Sequence, residues 1–205
     1  MRALGYDRDM GPIGIHGECQ LADGDALAAG GFSAWLAGMQ AALAGERGSD
    51  VPCGGCTACC TASQFIHIAP DETETLARIP KALLFPAPLM PAGHVVLGHD
   101  ERGHCPMLVD GRCSIYADRP RTCRTYDCRV FAATGLVPED GLIAERARRW
   151  RFALPSAADH ERREAVHEAA VFIRDRPQEL PDGAAPANAT QHAVLAVEMH
   201  ERFLR

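Results

Sequence analysis

Eight of the nine cysteines in this 205-residue sequence lie between Cys53 and Cys128. They open as Cys53-Gly-Gly-Cys56-Thr-Ala-Cys59-Cys60, continue with Cys105 and Cys113, and close with Cys123 and Cys128. A thiolate is a soft donor, and a soft metal ion or an iron–sulfur cluster needs several of them converging from separate chain segments. Repeated Cys-x-x-Cys steps answered by cysteines tens of residues away have that spacing. Cys53, Cys56, Cys59, Cys60, Cys105, Cys113, Cys123 and Cys128 are therefore the candidate metal ligands. Disulfides fit poorly, because the total is odd and Cys59 and Cys60 are adjacent.

How the eight divide is open at this stage. A C-x2-C-x2-C triplet with a remote Cys105-Pro106 has the look of ferredoxin-type ligation, which puts an iron–sulfur cluster first. Eight thiolates also divide evenly into two zinc sites of four, the second reading. Neighbours such as Cys59 and Cys60 strain a single metal, so the pair is expected to split between two sites or to leave one thiol free and reactive. His67 and His104 are secondary ligand candidates that read first as ordinary hydrogen-bonded histidines. Cys19, in a glycine-rich arm over residues 1–24, reads as a lone thiol or an accessory ligand. Arg112, Arg119, Arg121, Arg124 and Arg129 crowd the last ligands. Guanidinium groups there would offset the negative charge of a thiolate centre and donate hydrogen bonds to it, or receive an anionic partner, or simply coat the surface.

Positioning these sulfurs calls for an irregular frame with short elements. Gly54 and Gly55 permit a tight loop over 53–60, where a helix would fan the sulfurs apart. Residues 64–68 alternate as a short strand with Phe65 and His67 on one face. Residues 71–78 read as a brief helix after Pro70, the proline-rich run 80–91 as an irregular surface crossing, and 94–97 as a strand. Asp110-Gly111 is a two-residue hairpin turn that sets Val109 opposite Arg112 and Leu108 opposite Cys113. Alternation then puts Cys105 and Cys113 on opposite faces, so Pro106 must lift Cys105 out of the ladder or the two must serve different metals. Residues 121–133 read as helical up to Gly135, and the five-residue step from Cys123 to Cys128 turns about 140° on a helix. Two metals, a multi-iron cluster or a helix ending before Cys128 would each resolve that conflict.

Outside this core, Phe32, Trp35, Leu36, Met39 and Leu43 form one helical face that stops near Gly45. Residues 138–151 have helical composition with arginines around Trp150, read as a solvated face in preference to a single-stranded nucleic-acid site. Residues 157–174 form an amphipathic helix with Val166, Ala169, Ala170 and Ile173 on its apolar stripe. A linker over 177–189 leads to a last helix at 191–204. The fold class expected is α+β: a small, irregular, metal-stabilised cysteine core with a short antiparallel hairpin, flanked by N- and C-terminal helices. Its segments are 1–50, 51–135 and 136–205, packed as one domain.

A formal charge of −6 argues against a general nucleic-acid or anionic-membrane binder. No long apolar run and no signal-peptide core are present in the sequence, which predicts a cytoplasmic protein whose reducing surroundings keep cysteines available as ligands. Phosphate-loop and Ser/His/Asp triad signatures are missing from it as well. Partners are expected to be an unidentified protein or small molecule, with no membrane.

The combination of Cys53-Gly-Gly-Cys-Thr-Ala-Cys-Cys60, Cys105-Pro-Met-Leu and Gly111-Arg-Cys-Ser-Ile-Tyr-Ala-Asp-Arg-Pro-Arg-Thr-Cys-Arg124 resembles a bacterial cysteine-cluster family named for its CxxCxxCC motif. The resemblance covers about residues 51–130 and implies zinc or iron chelation. It carries over to Cys53, Cys56, Cys59, Cys60, Cys105, Cys113 and Cys123, with Cys128 at the family's variable last position. The motif is also similar to the cysteine segment of flagellin lysine methylases, where an iron–sulfur centre is implied. Three functions follow as expectations: a metal-binding module, a metal-dependent redox or protein-modifying enzyme, and a thiol redox sensor using Cys59 and Cys60.

Overall fold

Four large apolar side chains at helical spacing, Phe32, Trp35, Leu36 and Met39, seed the main core, and all four are buried. The structure is a computed structural model that describes residues 26–49, 51–181 and 185–205. The expectations for Cys19 and the arm over 1–24 fall outside the described residues. A strand, β1 (Leu27–Gly31), runs directly into helix α1 (Phe32–Leu43), and Gly45 at φ 76° takes the left-handed turn that ends it.

Past the cysteine loop come β2 (Ile66–Ile68), α2 (Thr73–Arg78), β3 (Leu84–Pro86) and β4 (Val95–Leu97). The strands form an antiparallel sheet in the order β2-β4-β3. This corrects the irregular crossing expected over 80–91, since part of it is an edge strand. An edge tolerates Pro86 because one side of such a strand has no ladder partner to supply. The hairpin of β5 (Leu108–Val109) and β6 (Arg112–Cys113) has the expected register, with Leu108 opposite Cys113 and Val109 opposite Arg112. Asp110 at φ 48° and Gly111 at φ 71° provide the mirror-image turn that matches strand twist.

The single helix expected over 121–133 is two, α3 (Arg121–Thr125) and α4 (Arg129–Thr134), with residues 126–128 in the break. The buried Asp127 carboxylate lies in that break, where it accepts from Trp35 Nε1 and from the Arg129 backbone N–H. Of the three resolutions left open above, the helix does end before Cys128. The helix expected over 138–151 is also shorter: α5 (Gly141–Arg148), capped by the Asp140 carboxylate, gives way to strand β7 (Trp150–Ala153). Trp150 therefore lies on a strand, parallel to β1 and paired with Leu27. Two aromatics in the four residues Trp-Arg-Phe-Ala favour extended backbone, and burial against the main core selects it.

Helix α6 (Ala157–Asp175) starts at a capping box between Ser156 and Asp159 and buries Val166, Ala169, Ala170 and Ile173 as expected. Helix α7 (Ala189–Met199) begins earlier than expected because the Asn188 side chain caps it. The main apolar cluster takes residues from Ala29 to Val197, a second packs α6 on α7, and a third of only four buried residues lies under the small sheet. Helices at both ends and antiparallel sheets between them make the fold α+β. Among the described residues no helix is long and apolar enough to cross a membrane.

Candidate metal centre

The cysteine loop folds on itself through short backbone bonds. The Cys53 N–H donates to the Val51 carbonyl at 2.7 Å, the Cys56 N–H to the Cys53 carbonyl at 3.0 Å, and the Cys60 N–H to the Thr57 carbonyl at 2.8 Å. Residues Ala58–Cys60 form one turn of 3-10 helix. Successive side chains in such a turn diverge by about 120°, so Cys59 and Cys60 face different neighbours. Loop 99–104 locks the other end: Ser63 N–H donates to the Gly103 carbonyl at 2.9 Å, and Cys105 N–H donates to the Cys60 carbonyl at 2.7 Å. Cys105 lies outside the hairpin ladder, its carbonyl accepting from Leu108 N–H at 2.9 Å. Of the two alternatives given for Cys105 and Cys113, Cys105 does leave the ladder.

The electrostatics sort the sulfurs. Burial pushes the Cys59 thiol well above its ordinary range, and Cys128 and then Cys53 are the nearest thiol influences that add to the rise. Burial likewise pushes Cys60 up to about 11, but there the leading thiol neighbours are Cys105 and Cys113. Cys123 is pushed up to about 12 by burial, then by Cys105, Cys60 and Cys113. Cys128 is pushed up to about 11 by burial, opposed by a hydrogen bond from Trp150 and reinforced by Asp127, Cys53 and Cys56. Burial also raises Cys53, with Cys56 as its next influence, and Cys105, where Cys113 is the thiol neighbour. The strongest neighbours gather Cys53, Cys56, Cys59 and Cys128 on one side and Cys60, Cys105, Cys113 and Cys123 on the other, but Cys59 also feels Cys60, and Cys60 also feels Cys53 and Cys56, so the two sets adjoin. The residues Cys53, Cys59 and Cys123 are exposed, Cys128 is buried and the rest are half-buried. A sulfur can be desolvated by surrounding protein while its residue still meets solvent, as in a shallow recess. None of the eight is in a disulfide. Among the described residues no group of three or more His, Cys, Asp or Glu side chains has the arrangement of a formed metal site.

Three residues around the first group were not singled out as site residues from the sequence. Trp150 Nε1 donates to Cys128 Sγ at 3.2 Å. Arg146 donates to the carbonyls of Pro52 and Cys53, lies over the Trp150 ring, and favours the Cys53 thiolate electrostatically. Asp127 accepts from Trp35, Ser49 and Arg129 and so fixes the backbone on which Cys128 stands. Only adjacency to Cys128 pointed to Asp127, and nothing local pointed to the other two.

The five arginines expected near the last ligands divide. Arg119, stacked on Tyr116, favours the thiolates of Cys53 and Cys123. Arg121, Arg124 and Arg129 are instead paired with Asp71, Glu72 and Asp127. Arg112 is exposed at the start of β6. Neither histidine candidate joins a thiol group. His67 Nε2 lies 2.9 Å from His94 Nδ1 with the rings stacked, and the His104 backbone N–H donates to the Asp100 carboxylate while its carbonyl accepts from the Asp100 N–H.

Residues 52–146 match a family model named CxxCxxCC and described as "Putative zinc- or iron-chelating domain". The match supports metal binding by this segment. No curated protein and no solved structure matches the chain.

Proposed function

We propose, from the premise that residues 52–146 form a domain of the CxxCxxCC family, that this is a metal-binding protein with two four-thiolate centres. Cys53, Cys56, Cys59 and Cys128 would hold one, and Cys60, Cys105, Cys113 and Cys123 the other. The observation that supports this reading is the 3-10 turn at Ala58–Cys60, which sets adjacent Cys59 and Cys60 about 120° apart, and their strongest thiol influences differ accordingly. Four thiolates on each metal leave no open position, which favours a structural or electron-carrying role over Lewis-acid chemistry. Because most of these thiols are held protonated, metal uptake releases protons.

The metal follows from the donor sets. Cys53, Cys56 and Cys59 with one remote cysteine have the count and step of a [4Fe–4S] ligand set, so iron–sulfur is placed first at that centre. The remote ligand there is Cys128, whereas Cys105, with its following proline, falls in the other group. The even four-and-four division supports zinc at both centres as the second reading. A reducing cytoplasm suits either, since it keeps the thiols free.

Anaerobic purification with metal analysis and visible absorption of the full chain, Cys59→Ser and Cys60→Ser tests the proposal. The parent chain is expected to carry both centres, and each variant to lose a different one. Brown protein with acid-labile sulfide identifies iron–sulfur, and colourless protein with stoichiometric zinc identifies zinc. A metal-free parent chain would end the proposal, and loss of the same metal from both variants would end its two-centre form.

A further inference from the structure

The residues that the metal centres leave unused include a cleft of about 490 Å³ on the far side of Trp150. It opens between α5, β7, the loop after α4 and the first turns of α6. That volume suits a small organic molecule. Its wall is mixed: Leu136, Val137 and Trp150 are among its apolar residues, and Arg148, Arg151 and Arg163 also line it. No Asp or Glu lines it. Some exposed arginines of this acidic chain have carboxylate partners, as Arg78 has Asp118, Arg121 has Asp71 and Arg205 has Glu168, and others, such as Arg112 and Arg202, have none among the described residues. Among the described residues no carboxylate pairs with Arg148 or Arg163. Arg151 is held beside the strand by donating to the carbonyls of Arg148 and Trp150.

We propose that this cleft is a binding site for a small amphipathic anion, its apolar body against Leu136, Val137 and Trp150 and its carboxylate or similar head among Arg148, Arg151 and Arg163. An apolar wall alone would take any greasy molecule. Three unopposed guanidinium groups select the one with a negative end, because a planar fork of N–H donors matches a carboxylate in shape and charge. The site uses no metal ligand and stands whether or not the two-centre reading does. Trp150 nonetheless belongs to both regions, since it is among the residues that line the cleft while its side-chain N–H reaches Cys128.

Equilibrium dialysis of the full chain against decanoate, decyltrimethylammonium and acetate tests the proposal, since these separate tail from head. Decanoate is expected to bind, and the cationic and tailless probes to bind at least tenfold more weakly. Arg163→Glu and Arg148→Glu are each expected to weaken decanoate binding roughly tenfold, the scale of one charge-assisted hydrogen bond. Lys81→Glu, an equal charge change at an exposed site outside the cleft, is expected to leave it unchanged. Both arginines are exposed, so circular dichroism should show each variant folded. No decanoate binding, equal binding of the cation or of acetate, or the same affinity in both arginine variants would overturn the assignment.

Discussion

At the scale of single residues, the candidate centre rests on groups that are not themselves candidate ligands. Asp127 is 2% exposed and accepts hydrogen bonds from Trp35 at 3.0 Å, Ser49 at 2.9 Å and the Arg129 side chain at 2.7 Å. Arg129 is nearly as buried and also donates to the Ala29 carbonyl at 3.1 Å. Removing the carboxylate would strand these donors and a buried positive charge, so Asp127→Ala is expected to cost about 3–5 kcal/mol. A urea titration would read this as a lower midpoint at unchanged slope, and a midpoint within error of the parent would refute it. The cysteine cluster was legible in the sequence as a set of candidate ligands, because repeated Cys-x-x-Cys steps have the spacing that metal ligation needs. Asp127, Arg146 and Trp150 were not, because their roles arise from contacts with residues up to 94 positions away. Local spacing carries no trace of such pairings.

Among the elements, the pieces that present the second thiol group are joined by backbone, and Gly103 is the joint. It adopts φ +80°, and a Cβ added there would lie 2.1 Å from the Ser63 hydroxyl oxygen. That hydroxyl can rotate aside, but the left-handed backbone remains strained for any residue with a side chain, by roughly 1–2 kcal/mol. Gly103→Ala is therefore expected to destabilise the protein by about that amount. It should also weaken the Ser63–Gly103 and Cys60–Cys105 backbone bonds, seen as faster hydrogen exchange at residues 60–63 and 103–105. Exchange there equal to the parent's would show that the joint tolerates a side chain. Elements with local determinants could be read in advance. The Asp110-Gly111 turn fixed the hairpin register, and the α1 and α6 stripes fixed their buried faces. Strand β7 could not, because its partner β1 lies about 120 residues earlier and a parallel pair has no turn of its own to announce it. The same lack of a local signal hid β3 inside a proline-rich run.

For the whole molecule, the question is what holds residues 53–113 to the rest. The helices α1, α4, α6 and α7 share apolar clusters, but the small sheet and hairpin have only Ile68, Ile79, Leu97 and Met107 buried beneath them. Partly buried residues such as Ile66, Leu84 and Val95 pack around these four, and Ala62 joins the segment to the main core. On the proposed division, the first centre would pin the 53–60 loop to Cys128, which belongs to the main core. The second would tie the loop, the hairpin and α3 together. Structural zinc contributes roughly 10–16 kcal/mol of apparent binding energy, comparable with the entire stability of a domain at about 5–15 kcal/mol. Metal removal should consequently act unevenly. After chelation, amides over 53–60 and 105–113 are expected to lose their protection from exchange, while α6 and α7, packed on each other through Ala169, Ala170, Ile173 and Ala196, keep theirs. Cys56→Ser should free the 53–60 loop and leave the hairpin protected, and Cys123→Ser should do the reverse. Identical exchange maps with and without metal would mean that the apolar clusters alone support the cysteine segment. Loosening of both regions by either variant would mean that the eight sulfurs act as one centre.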